Sequence, residues 1–142
     1  MYEALLRIHS LTPYLFLVLM LVTLVFAFRN LNAGSFSPIT KTLARVALIL
    51  AHLQLLMGII MLAMQSSVFT NGMGSLMKDA ALRLKYIEHP FTMILAVALI
   101  TIGFSRSKRA STGKKQARNI VIFYTLGLLL ILSRIPYQAW LN

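Results

Sequence analysis

The chain has 142 residues, of which 58% are hydrophobic and 12% are charged, and its mean hydropathy is +0.78. An average soluble domain is about one quarter charged, so this composition is typical of a membrane protein. The chain contains no cysteine, which excludes disulfides, thiolate nucleophiles, iron–sulfur ligation and covalent c-type haem attachment, but not haem b. The net charge of +11 does not indicate nucleic-acid binding, because the 14 Lys and Arg residues lie between apolar runs.

Uncharged apolar runs predict four membrane-spanning helices in a single domain, residues 1–142. The first two runs are long, whereas Phe91–Phe104 and Ile120–Ser133 each have fourteen residues. Fourteen helical residues reach about 21 Å, short of a hydrocarbon core of roughly 30 Å, so these two spans must borrow polar flanking residues. We therefore expect an all-α fold, an integral membrane antiparallel four-helix bundle. The predicted spans are about 6–28, 43–64, 84–105 and 118–138.

The third span depends on the residues just before Pro90. If the helix borrows them, residues 86–89 lie at membrane depth; otherwise they form a half-buried turn above a short helix. Both alternatives stay open from the sequence. Pro90 disfavours the helical region for His89, which precedes it. Pro13 follows His9 by four residues and is expected to bend the first span where the imidazole projects.

Positive charge predicts the orientation of the bundle. Nine Lys and Arg residues fall on the side opposite both termini: Arg29, Lys41, Arg45, Arg106, Lys108, Arg109, Lys114, Lys115 and Arg118. The positive-inside rule then places both termini on the outer face of a bacterial plasma (inner) membrane. We interpret the loop over residues 105–116 mainly as a topology determinant, and it also suits contact with anionic lipid head groups.

Three histidines, His9, His52 and His89, all lie outside the predicted cytoplasmic loops. Ionisable residues at membrane depth usually face the bundle interior. At 1.5 Å per residue from the cytoplasmic ends of the spans, His9 lies about 28 Å up, His89 about 22 Å and His52 about 10 Å. His9 and His89 are thus close in height on diagonal spans roughly 13 Å apart, a gap suited to a haem between two imidazoles. The pairs His52 with His89 and His9 with His52 remain open.

Charged residues accompany the histidines in the outer half of the bundle. The candidate partners for haem propionates are Arg7, Arg83, Lys85 and Arg134. Glu88 and Arg134 lie at comparable depth and predict an interhelical ion pair. That pair could also orient the adjacent histidine, because ligating imidazoles commonly hydrogen-bond a carboxylate through the second nitrogen. The small residue Gly58 in the second span would let a flat ligand approach closely.

Four segments together resemble a known family: His9-Ser10-Leu11, Ala51-His52-Leu53-Gln54-Leu55-Leu56-Met57-Gly58, Ile87-Glu88-His89-Pro90 and Leu132-Ser133-Arg134-Ile135-Pro136. Over nearly its whole length the chain resembles small four-span membrane proteins of Bacteroidota that carry the label "cytochrome B". The second span is also similar to helices of haem A synthase, in which each four-helix half holds a haem between histidines of its second and fourth helices. The fourth span here has no histidine, so any haem ligation falls to spans one, two and three.

Two classes of function compete. The favoured one is a b-type haem protein that transfers electrons at or near the quinone pool, with His89 and His9 as metal ligands and His52 in reserve. The alternative is a non-catalytic structural or assembly subunit of a membrane complex. A small proton-linked transporter component is the third possibility. The expected partners are the lipid bilayer and a quinone or respiratory complex, and a homo-oligomer stays open. Nothing resembles a phosphate-binding loop, a metalloprotease helix or a hydrolytic triad.

Overall fold

The computed structural model describes residues 1–70 and 72–138, and no strand occurs among them. The fold is all-α, as the sequence predicts. Four helices are long and apolar enough to cross a membrane, which fits a multi-pass membrane protein in contact with the lipid bilayer. Their bounds are Tyr2–Ala33 (α1), Pro38–Met64 (α2), Ala80–Arg109 (α3) and Gly113–Ser133 (α4).

The four helices form a square in cross-section. Helix α1 packs against α2 and α4, and α3 packs against the same two helices. Helices α1 and α3 therefore face each other across the diagonal. Short connections join α1 to α2 and α3 to α4, so these neighbours run antiparallel. Two short helices, Ser67–Thr70 and Met73–Lys78, lie in the longer connection between α2 and α3.

We call the end of the bundle that carries both termini the outer end and the opposite end the inner end, after the orientation predicted above. The turn between α1 and α2 shows why both helices extend further toward the inner end than the predicted bounds at 28 and 43. The Oδ1 atom of Asn30 accepts hydrogen bonds from the Ser37 N–H at 2.7 Å and from the Thr40 hydroxyl at 2.8 Å. Ser37 caps α2 by accepting from the Thr40 N–H, and Pro38 occupies the first turn. Gly34 ends α1 in the left-handed conformation, with φ 68°.

Helix α4 is shifted toward its beginning relative to the predicted span 118–138. It starts at Gly113, because the Thr112 hydroxyl accepts from the Lys115 N–H and caps the helix. It ends at Ser133, so Arg134 lies just beyond the helix. Pro136 follows two residues later and cannot continue a helical ladder.

Helix α3 is continuous through the segment that the sequence left open. Residues Leu84–Glu88 form one turn of π-helix between the α-helical stretches Ala80–Arg83 and His89–Arg109. The expectation that Pro90 moves His89 out of the helical region is wrong, because His89 has φ −61° and ψ −55°. The His89 N–H donates to the Leu84 carbonyl, five residues back, and this wider turn accommodates the proline ring without breaking the helix.

Packing is densest from the middle of the bundle to its inner end. The Tyr124 hydroxyl is buried and donates to the Ala44 carbonyl at 2.7 Å, which ties α4 to α2 across the other diagonal. Gly103 and Gly127 let α3 and α4 approach closely, since a Cβ on Gly103 would clash with Phe123. The outer half of the bundle is packed less tightly and contains a cavity.

Candidate functional site

The cavity lies between the outer halves of the four helices and has a volume of about 420 Å³. This volume falls within the range of about 300–1,000 Å³ that is usual for small-molecule sites. Two imidazoles, His9 and His89, form part of its wall. The rest of the wall is mainly apolar and includes Pro13, Phe16, Leu55, Met93, Val97 and Ile131.

The two imidazoles reach toward each other across the diagonal of the bundle. Their ring centroids are 6.4 Å apart, and the ring planes are inclined at 84°. A metal bound by two imidazoles on opposite sides sets the centroids roughly 6 Å apart, because each metal–nitrogen bond is about 2.0–2.1 Å. The centroid spacing of His9 and His89 is therefore compatible with one metal ion between them.

Pro13 gives His9 a partner on α2. Since proline has no N–H, the His9 carbonyl lacks its usual helical donor four residues later. The Gln54 side chain takes that place, with Nε2 donating to the His9 carbonyl at 3.3 Å. The Nδ1 atom of His9 and the Oε1 atom of Gln54 are both buried without a hydrogen-bond partner.

These two unpaired atoms complement each other chemically. An Nδ1–H on His9 needs an acceptor. The Oε1 atom of Gln54 could accept it, because the Nε2 atom of the same side chain already donates to the His9 carbonyl. Once Nδ1 carries the proton, the Nε2 lone pair is available to a ligand. Buried polar atoms without partners are costly, so a small movement that pairs Nδ1–H with Oε1 would stabilise this part of the site.

Gly58 leaves room for the His9 ring. A Cβ atom built at Gly58 would lie 3.3 Å from His9 Cε1 and 3.9 Å from Nε2. The first distance is tighter than ordinary carbon contacts, so any side chain at this position would push the imidazole. The sequence named Gly58 as a position where a flat ligand approaches, and the structure places the histidine ring itself against it.

His89 is held by the residue that follows α4. Its Nδ1 atom donates to the Arg134 carbonyl at 2.9 Å, because a carbonyl can only accept. That carbonyl lies just beyond the end of α4, outside the helical hydrogen-bond ladder. With the proton on Nδ1, the lone pair of His89 resides on Nε2.

Glu88 anchors the arginine that holds His89. Its Oε1 atom lies 2.9 Å from Arg83 Nε, and its Oε2 atom lies 3.3 Å from Arg134 Nε. The predicted Glu88–Arg134 ion pair is therefore present. The carboxylate acts on His89 through Arg134 and not by a direct bond, because consecutive helical residues project about 100° apart.

Two of the predicted site residues lie away from the cavity. His52 is exposed, its Nδ1 atom donates to the Leu48 carbonyl at 2.9 Å, and its Nε2 atom lies 3.4 Å from the Thr101 hydroxyl. Arg7 is exposed and does not line the cavity wall. The structure therefore brings His9, His89 and Gly58 together at the cavity. It places Arg83, Glu88 and Arg134 behind His89, whereas His52 and Arg7 lie away from the cavity.

Gln54 is the residue of the site whose contact with His9 the sequence did not predict. Its polar side chain and its position one turn before Gly58 were available signals. Lys85 and Tyr86 line the cavity, with Lys85 Nζ 5.2 Å from the Tyr86 ring centroid. The π-helical turn changes which of these residues face the cavity, and no residue pattern predicts such a turn.

The available ligands fit haem better than an all-protein metal site. Among the described residues, 1–70 and 72–138, no group of three or more His, Cys, Asp or Glu side chains could hold a metal ion. Structural zinc sites need four protein ligands. Haem iron takes few ligands from the protein, and His9 and His89 are the two residues at the cavity wall that could hold it.

Searches of protein-family models, curated proteins and solved structures find no match to the chain.

Proposed function

We propose that the protein is a b-type haem protein of a bacterial plasma membrane, with haem b held between His9 and His89. The observation that carries the proposal is the pair of imidazoles 6.4 Å apart at the wall of a cavity of about 420 Å³. Haem b supplies reversible one-electron chemistry when bound. The resemblance to the small four-span proteins labelled "cytochrome B" agrees with this proposal.

The residues around the cavity have separate tasks under this proposal. His9 and His89 would ligate the iron through their ring nitrogens. The Arg134 carbonyl holds the second nitrogen of His89, and Gln54 contacts His9 at its backbone carbonyl. The mainly apolar wall suits the apolar ring of the macrocycle. Lys85, which lines the cavity at its outer end, is the cation suited to a propionate.

The charge distribution supports a location for the site within the membrane. The inner end of the bundle carries nine of the 14 Lys and Arg residues, whereas all three acidic residues lie at the outer end. The positive-inside rule then puts both termini and the histidine pair on the outer side. Electron exchange with a quinone or with a respiratory complex would take place near that surface.

The visible spectrum of the purified protein tests the proposal. We expect a Soret band in the isolated protein, or its appearance on addition of haem, that saturates at one haem per chain and shows the low-spin form of bis-histidine ligation. Addition of a quinol should reduce the haem if the protein exchanges electrons with the quinone pool. A colourless protein that gains no Soret band with added haem would contradict the proposal and favour the alternative, a structural or assembly subunit.

A further inference from the structure

A second site, shallow and largely open, lies at the inner end of the bundle, far from the histidines. Its volume is about 360 Å³, and it is formed by the end of α3 and the beginning of α4. Four cations line it, Arg106 and Arg109 from α3 and Lys115 and Arg118 from α4, together with the Asn119 amide. We call this site the cationic cleft.

The cationic cleft is built on a tight hairpin. Three residues separate α3 from α4, and the Ser107 hydroxyl donates to the Gln116 carbonyl at 3.0 Å across the turn. Gly113 packs so closely on the α1–α2 connection that an added Cβ would lie 2.8 Å from Phe36 N. The guanidinium of Arg106 is also held, 5.6 Å from the Phe123 ring centroid. The hairpin thus places all four cations around one cleft.

No acidic residue offsets these charges. The chain has three acids, and all of them, Glu3, Asp79 and Glu88, lie at the opposite end of the bundle. Cations that share a concave surface repel one another, so an anion placed between them lowers the electrostatic energy. Orientation of the bundle requires positive charges on this side, but it does not require them to line a cleft.

Apolar side chains continue from the cationic cleft toward the membrane. Ile102 lies one turn before Arg106 on α3 and is 45% exposed. Ile122 lies one turn after Arg118 on α4 and is 46% exposed, and Leu126 follows after another turn. Residues four apart share a helix face, so the charged cleft and this apolar strip form one amphipathic surface.

We infer that the cationic cleft binds the headgroup of an anionic phospholipid, with the acyl chains lying along Ile102 and Ile122. Four cations in one cleft match a headgroup with two phosphodiester groups better than one with a single phosphodiester. Binding at this cleft is independent of haem, so the inference stands or fails apart from the function proposed above.

Lipid binding to the purified protein tests the inference. The protein is placed in phosphatidylcholine nanodiscs, a phospholipid with two phosphodiester groups is titrated in, and bound lipid is counted by native mass spectrometry. The double variant R106Q/R118Q should weaken binding about 10- to 30-fold, since each cation near an anionic headgroup contributes about 1 kcal/mol. The control variant K41Q/R45Q removes the same charge from exposed positions on α2 on the same side of the membrane and should change binding less than about twofold.

Two further outcomes would overturn the inference, and single variants cover a failure of the double variant to fold. Equal weakening by the two variants would overturn it, because net charge alone would then explain binding. Inorganic pyrophosphate that competes as strongly as the lipid would also overturn it, because the site would then bind a soluble anion. If R106Q/R118Q does not fold, the single variants R109Q and K115Q replace it, and each should weaken lipid binding about fivefold.

Discussion

At the scale of single residues, a proline determines the surroundings of His9. Pro13 lacks the N–H that would otherwise donate to the His9 carbonyl. The Nε2 atom of Gln54, on α2, donates to that carbonyl instead. The sequence predicted the disturbance at His9 from the four-residue spacing. It could not predict that Gln54 would respond, because the rotation of α2 relative to α1 depends on packing along the whole helix pair.

Replacement of Gly58 by alanine tests the fit around His9. The added Cβ would lie 3.3 Å from Cε1 of the ring and displace it by a few tenths of an ångström. We expect about 3- to 10-fold weaker haem retention, equivalent to roughly 1 kcal/mol, with the low-spin spectrum kept. Haem affinity measured by competition with apomyoglobin checks this. The control is Gly74→Ala, where no atom lies within 4 Å of the new Cβ; equal affinities of the two variants would contradict contact between Gly58 and the ligand-bearing ring.

Replacement of Glu88 by glutamine tests the support of His89. The change removes a negative charge and leaves Arg83 and Arg134 without their ion-pair partner. Less negative charge near the iron disfavours its oxidised form, so the midpoint potential should rise, on the order of tens of millivolts, where 59 mV is a tenfold change. A redox titration measures this shift. Glu3→Gln removes the same charge at an exposed position near the start of α1 and should leave the potential unchanged; a lower potential in Glu88→Gln would contradict the account.

At the scale of the helices, the sequence predicted the four spans but not their ends. Apolar runs locate the membrane-crossing parts, yet α2 begins at Pro38 because of the polar network around Asn30, which acts between helices. The sequence did not predict the π turn over Leu84–Glu88 either. An α turn and a π turn can have the same composition, and the choice between them here depends on Pro90 and the tertiary contacts of Glu88.

The close contact of α3 with α4 yields an element-scale prediction. Gly103→Ala would force its Cβ into Phe123, and we expect a loss of about 1–3 kcal/mol in the free energy of unfolding, because overpacking moves backbones apart. Unfolding in mixed micelles with increasing denaturing detergent measures the change. Gly74→Ala should have the opposite sign, since alanine is favoured over glycine in an open helical position by about 0.5–1 kcal/mol. An unchanged stability of Gly103→Ala would contradict the packing described for these helices.

At the scale of the whole molecule, the diagonal pairing of spans one and three was predictable from depth. The helices are expected to stand roughly 13 Å apart across the diagonal, and the rings approach to 6.4 Å because each side chain extends inward. The position of His52 was not predictable. Its distance along the helix was known, but its direction away from the cavity, toward Thr101, depends on the rotation of α2.

Accessibility labelling tests the orientation of the whole molecule. The chain has no cysteine, so the single variants Glu3→Cys, Lys78→Cys and Ser111→Cys each carry one thiol. We expect an impermeant maleimide to label positions 3 and 78 in intact cells, and position 111 only after permeabilisation, because the inner end carries most of the positive charge. Labelling of position 111 alone in intact cells would reverse the orientation and place the histidine pair on the cytoplasmic side.

The spectra of three matched variants show whether His9 and His89 together hold a haem. His9→Ala, His89→Ala and His52→Ala are purified in parallel, saturated with haem and compared by optical and electron paramagnetic resonance spectra. The account predicts that His9→Ala and His89→Ala each lose the low-spin bis-histidine signal, whereas His52→Ala keeps it, because His52 lies outside the cavity. Loss of the signal in His52→Ala with its retention in His9→Ala or His89→Ala would contradict the account.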